Sequence, residues 1–206
     1  MTHEQDIFDL SNIRSVPRER LRKGGPIKLA NIHINSLDPI NFNITEIRFN
    51  AEQSLDTQIK QRISPIRDKL TILGFDGDKL YTAIYEAVRN AHQHGNKSDH
   101  SKPVKVGLRY SKDHIECIVS DLGQELDPEF ASYVLFHRLG CQDEVKPTDF
   151  YSFTGREKPN PNNGTGTYFM HLYSDEVKYC ISPEGGLLVL LSQKKRERKT
   201  SNREFT

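Results

Sequence analysis

Glu86, Asn90 and His94 follow one another at intervals of four residues. On an α-helix that spacing stacks them along one face. A carboxylate and an amide one turn apart suit metal–phosphate chemistry. The amide oxygen can bind Mg2+, a hard cation that prefers oxygen ligands. The carboxylate can orient an attacking hydroxyl or take its proton. The plain alternative is the solvated polar face of an amphipathic helix.

Two further segments carry chemistry. Asp121-Leu122-Gly123 ends an apolar strand. A carboxylate there can accept a hydrogen bond from the exocyclic amine of adenine, and the glycine lets a ring approach the backbone; a simple strand-ending turn is the alternative. Asn162-Asn163-Gly164-Thr165-Gly166-Thr167 precedes a helical pattern. Glycines at a helix start expose N–H groups at its positive end, a phosphate cradle, although a GxG is also what an ordinary flexible loop contains.

These residues need elements to hold them. Leu55, Ile59, Ile63, Ile66, Leu70 and Leu73 form one apolar helical face. Pro65 should kink that helix or split it in two, and Gly74 stands where a C-cap belongs. A second helix starts at Asp76, a good N-cap. Its stripe of Leu80, Ile84, Ala87, Val88 and Ala91 is rotated away from Glu86 and Asn90, and it runs out near Gly95-Asn96. Residues 104–110 and 115–119 alternate as strands, and 177–181 with 187–191 form a hairpin across Pro183-Glu184-Gly185-Gly186. Short strands are expected at 31–35 and from Phe42 to Phe49, in an edge hairpin around Asp38-Pro39. Residues 124–163 look irregular, and a loop of that length in a compact domain is functional or disordered. Helices grouped beside a mixed, mostly antiparallel sheet make an α+β sandwich.

Composition narrows the choice. The 206 residues contain 29 Lys and Arg against 28 Asp and Glu, a net charge of +1. Such a balance offers no general attraction to nucleic acid or anionic membrane. The three cysteines, Cys117, Cys141 and Cys180, form no CxxC pair and suggest a reducing compartment. The N-terminus lacks the apolar segment of a signal peptide, and the run 186–191 is too short to span a bilayer. A cytoplasmic protein is expected. His92, His94 and His100 cluster, but no Cys or carboxylate spacing completes a zinc set.

The three motifs occur in a particular order: E-x-x-x-N on a helix, D-x-G after a strand, then GxG at a helix start. That order resembles the GHKL, or histidine kinase-like, ATPases. Within them, Glu86-Ala87-Val88-Arg89-Asn90-Ala91-His92-Gln93-His94-Gly95 looks like the E-A-x-x-N-A-x-x-H-G segment of the anti-sigma-factor serine kinases. So do Gly164-Thr165-Gly166-Thr167-Tyr168-Phe169-Met170, followed by Asp175-Glu176-Val177, and the upstream Ile72-Leu73-Gly74-Phe75. The resemblance covers roughly residues 45–193. It leaves residues 1–44 as an N-terminal extension and 194–206, including the run Lys194 to Lys199, as a basic tail.

What the resemblance implies is specific. ATP would lie between the helix layer and a lid contained in residues 124–163. Asn90 would hold Mg2+, Asp121 would read adenine, and His94, Gly123, Gly164, Thr165, Gly166 and Thr167 would shape the nucleotide pocket. Glu86 would be the general base that helps a serine or threonine hydroxyl of a small anti-sigma-factor antagonist attack the γ-phosphate. Partner switching, a sigma factor as a further partner and a homodimer belong to the same expectation. Two positions depart from the pattern: Glu125 replaces a glycine common in relatives, and Thr167 stands where several relatives have an apolar residue. Arg138, Lys146, Arg156 and Lys158 are all open as phosphate contacts. Two other functions remain open: a nucleotide-binding regulatory module without phosphotransfer, and a detached histidine-kinase catalytic domain. The helix over 52–73 contains no phosphoacceptor histidine, which weighs against a self-contained version of the latter.

Overall fold

Ser54 caps the first helix by accepting a hydrogen bond from the Thr57 amide, and α1 (Leu55–Ile72) follows. In the computed structural model, which describes residues 41–123, 128–138, 148–158 and 164–195, this helix runs unbroken through Pro65. The expected split does not occur. Pro65 lies on the exposed side, where an unmade backbone bond can be satisfied by water. The Gln61 carbonyl that a residue-65 amide would have reached is instead taken by the Ser64 hydroxyl at 3.2 Å. Gln58 is buried and fixes the approach to the helix: it accepts from the Asn50 amide and donates to the carbonyls of Asn50 and Gln53.

The exit from α1 is a Schellman turn. The Gly74 amide donates to Thr71 O and that of Phe75 to Leu70 O, each at 3.0 Å, with Gly74 at φ +82°. Asp76 then caps α2 (Gly77–Asn90), accepting from Lys79 N, while its own amide donates to the Gln193 side chain on the last strand. Leu80, Ala83, Ile84, Ala87 and Val88 form the buried stripe of α2. The helix does not stop at Asn90. It widens into a π-helical turn, Ala91–Gly95, closed by Asn96 N donating to Ala91 O at 2.8 Å.

Five strands follow or flank these helices: β1 (Asn43–Ile47), β2 (Val104–Tyr110), β3 (His114–Ser120), β4 (Glu176–Ile181) and β5 (Leu187–Lys194). Their order in the sheet is β1-β2-β3-β5-β4. All four pairings among the described strands are antiparallel, so none of these pairs is the parallel one that a mixed sheet would contain. β1 pairs with the distant β2, from Asn43 against Leu108 to Ile47 against Val104. The hairpin expected around Asp38-Pro39, like the strand at 31–35, lies outside the described residues. Register aligns Cys117 with Leu108 and Leu191, and Val119 with Val106 and Val189. These side chains share one face, and α2 packs on β3 and β5 there, with α1 and α5 packed on α2. The result is an α+β sandwich.

Residues 124–163 are not irregular throughout. They contain α3 (Pro128–Arg138) and the short α4 (Phe150–Thr154). α3 buries Ala131, Tyr133, Val134, Leu135 and Phe136, a nearly unbroken apolar run rather than a stripe. A helix enclosed on several sides has no 3.6-residue period to reveal it. Tyr133, Phe136 and Phe153 form their own cluster beside the main core, with Phe150 packed on it. The last helix, α5 (Gly166–Tyr173), leads into the β4–β5 hairpin. Cys117 and Cys180 are buried, and burial pushes the Cys117 thiol up, away from reactivity. Cys141 lies outside the described residues.

Candidate functional site

A cavity of about 430 Å3 opens between α2, the ends of β3 and β5, and the α3–α5 region. That size suits a drug-sized organic ligand. Six of the residues expected from the sequence line it: Asn90, His94, Asp121, Gly164, Gly166 and Thr167. Glu86, Gly123 and Thr165 do not line it, but each adjoins a residue that does: Gly166, Asp121, and Gly164 with Gly166.

Asp121 is built in by the backbone around it. It is 4% exposed at the end of β3. Its Oδ1 accepts from the Gly123 amide at 2.8 Å and from the Leu187 amide at 3.1 Å. Three glycines wrap it. An ideal Cβ at Gly95 would lie 2.1 Å from Asp121 Oδ2, one at Gly186 2.4 Å from Asp121 O, and one at Gly123 3.0 Å from Oδ1. Burial raises the Asp121 carboxyl above its ordinary value, with the Gly123 and Leu187 amides and then Lys102 pulling the other way. Asn96 ties this corner together. It donates to the carbonyls of Lys102 and Pro103 and accepts from the Leu122 amide at 2.8 Å. The sequence marked Asn96 only as a helix stop.

At the opposite end, α5 begins directly over α2. A Cβ at Gly166 would sit 2.7 Å from Glu86 Oε2 and 3.3 Å from Asn90 Nδ2. A side chain there would have to push the Glu86 carboxylate aside, and Glu86 lies beside Asn90 at the edge of the cavity. Burial lifts the Glu86 carboxyl above its ordinary value; Arg89 opposes this and Asp56 adds to it. Thr165 stands at the N-cap of α5 without a side-chain cap bond. Gly164 adopts φ +69°, and its carbonyl accepts from Phe150 N at 2.9 Å. Tyr133 Oη lies 2.8 Å from Thr148 O and 3.4 Å from Gly164 O, so the aromatic cluster holds the glycine segment in place.

Several lining residues escaped the sequence reading. Phe130, Phe150 and Tyr151 come from the region taken as irregular, and Lys97 lines the wall with a left-handed φ of +55°. Of the four basic candidates for phosphate contact, Arg156 lines the cavity and pairs with Glu129. Lys158 is exposed, while Lys146 and the Arg138 side chain lie outside what is described. His92 is buried against Phe49 and His100, with ring centroids 4.5 and 5.3 Å away. No group of three or more metal-ligating side chains occurs among the described residues. No described helix is long and apolar enough to cross a membrane.

The residues present fit an adenine nucleotide with Mg2+. One end offers a carboxylate enclosed by backbone; the other offers an amide, a carboxylate and a glycine-opened helix start. The space between is apolar, walled by Val119, Met170 and Val189.

Comparison with known proteins agrees with this geometry. The family model of the histidine kinase-like ATPase domain matches residues 66–192. The serine-protein kinase RsbW of Bacillus licheniformis is 29% identical over 135 residues, which is 66% of this chain and 75% of that protein. The serine-protein kinase RsbW of Oceanobacillus iheyensis is 22% identical over 153 residues, 74% of this chain and 87% of that protein. With more than half of its length matched by the family model and the corresponding sandwich around its cavity, the chain belongs to the histidine kinase-like ATPase family.

Proposed function

We propose that the chain is an ATP-dependent serine/threonine protein kinase of the anti-sigma-factor type, acting on a small antagonist protein. The observation that carries this reading is the pairing of Glu86 and Asn90 beneath Gly166, at the edge of a cavity whose far end is Asp121. A nucleotide held by its base at Asp121 extends its phosphates toward that pair. The similarity to two serine-protein kinases supports the kinase class.

Bound Mg-ATP supplies the phosphoryl group, with the metal neutralising its charge. Asp121 accepts from the adenine amine. Asn90 would hold Mg2+ through its amide oxygen. Gly164, Thr165, Gly166 and Thr167 present the start of α5 to the phosphates, and His94 and Gly123 shape the pocket. Glu86 orients the acceptor hydroxyl and takes its proton as the new O–P bond forms and ADP departs. Its burial makes it a stronger base than an exposed glutamate. Phosphorylation would release the antagonist from the kinase, and a sigma factor and a second copy of the chain are the further partners of this reading. Cytoplasmic action follows from it.

The test is a titration of Mg-ATP into the intact protein beside Asn90→Ala. It is followed by incubation with Mg-ATP and a recombinant anti-sigma-factor antagonist from the same genome, read by mass spectrometry. ATP binding that Asn90→Ala abolishes, with one phosphate added to the antagonist, supports the kinase. Binding without transfer turns the reading into a regulatory nucleotide-binding module, and transfer to a histidine turns it into a detached histidine-kinase domain.

A further inference from the structure

Arg89 and Tyr151 are used by none of the roles above, and each carries a shielded polar atom with no hydrogen-bond partner. Arg89 stands on α2 between Glu86 and Asn90, next to the latter. Its Nε is cut off from solvent and unpartnered, and no ion pair joins it to a carboxylate among the described residues. A guanidinium stays charged in any protein environment, so a buried N–H of this kind is a donor waiting for an acceptor. Tyr151 is only 7% exposed, lines the cavity, and has a shielded hydroxyl that is likewise unpartnered. Its ring lies 2.7 Å from where a Cβ on Gly164 would project, so it abuts the glycine segment. The two groups sense each other: burial raises the Tyr151 phenol, and Arg89 is the foremost charge opposing that rise. Arg89 likewise acts on Glu86.

Two unsatisfied donors, one of them cationic, thus flank the phosphate end of the cavity: Tyr151 in its wall against Gly164, and Arg89 on α2 next to Asn90. Their chemistry calls for an anion with several acceptor oxygens. Resting on the kinase reading, we propose that Arg89 and Tyr151 grip the terminal phosphoryl group of the nucleoside triphosphate, so that the site distinguishes a triphosphate from a diphosphate. The arrangement suits turnover. Once the phosphoryl group has passed to the acceptor, the diphosphate left behind has nothing within reach of these two donors.

Calorimetric titration of the full chain with Mg-ATP and, separately, Mg-ADP tests this. Tyr151→Phe and Arg89→Gln should each weaken Mg-ATP by about tenfold or more, the usual worth of a hydrogen bond to a charged group. Mg-ADP affinity should stay unchanged. Arg89→Lys, which keeps the charge but loses Nε, should fall between the intact protein and Arg89→Gln for ATP alone. Thermal melts of all three variants identify any that fails to fold, and Tyr151→Phe preserves the packed ring. If ATP and ADP weaken equally, or neither changes, in folded variants of a protein that binds both, the inference is overturned while the kinase reading stands. If the intact protein binds neither nucleotide, the kinase reading falls and this inference with it.

Discussion

Gly95 and Asp121 touch so closely that no side chain fits between them: a Cβ on Gly95 would lie 2.1 Å from Asp121 Oδ2 and 2.2 Å from its Cγ. Gly95→Ala must therefore displace the carboxylate that faces the adenine end. The variant should lose about 1–3 kcal/mol of stability through overpacking. Its Mg-ATP affinity should fall at least tenfold, on the order expected for a lost hydrogen bond to a charged group. Calorimetry beside a urea melt measures both, and an alanine variant with unchanged ATP affinity would remove Asp121 from adenine recognition.

Asp121 itself should trade stability for binding. Its carboxyl titrates above its ordinary value because burial penalises the charge. In the window between the unfolded and folded values the native state holds the extra proton, so stability falls as pH rises through that window. Above that window the penalty is fully in force. Asp121→Asn keeps an oxygen for the Gly123 and Leu187 amides and carries no charge. It should melt higher than the parent at pH 7, converge with it at acidic pH, and bind Mg-ATP poorly. A lower melting temperature for the asparagine variant at pH 7 would contradict this account.

Asn96→Ala should be among the costly single changes in the domain. It leaves the Lys102 and Pro103 carbonyls and the Leu122 amide without their side-chain partner. With three polar groups affected in a buried corner, the loss should be about 3 kcal/mol by urea denaturation. A loss under ~1 kcal/mol would mean that water replaces the side chain.

Glu86→Gln should separate binding from transfer. The amide is isosteric, so Mg-ATP affinity should hold while the rate of phosphate transfer drops about 10²–10⁴-fold, the usual worth of a general base. In the parent, the rate should fall as pH is lowered, because the base must be ionised. The midpoint should lie above that of an ordinary carboxylate, since burial and Asp56 raise it more than Arg89 lowers it. A rate profile flat across the acidic range would argue against proton removal by Glu86.

The sequence revealed most where local chemistry decides structure. The caps at Asp76 and Gly74, the stripe of α2, the strands β2 and β3, the β4–β5 hairpin and the order of Glu86, Asn90, Asp121 and Gly166 were all legible in short windows. What it concealed depends on distant partners. α3 is apolar on several sides because it is enclosed on several sides, so no period marks it. Pro65 looks like a breaker until the Ser64 hydroxyl is seen on the Gln61 carbonyl. Gly95 and Gly186 lie far apart in the chain yet meet around one carboxylate. Tyr151 reaches the cavity from the short α4, and no spacing in its neighbourhood announces that.

The π-helical turn at Ala91–Gly95 makes chain length itself part of the recognition machinery. A regular helix advances about 100° and 1.5 Å per residue. Deleting one residue from this turn would let the helix close normally, and the groups that reach Asp121 and Leu122 would then have to do so from a narrower, regular turn. Within the turn Gly95 admits no side chain, and a single-codon deletion would in addition replace the wide turn by a regular one. Phosphate end and adenine end are thus kept in step by one surplus residue.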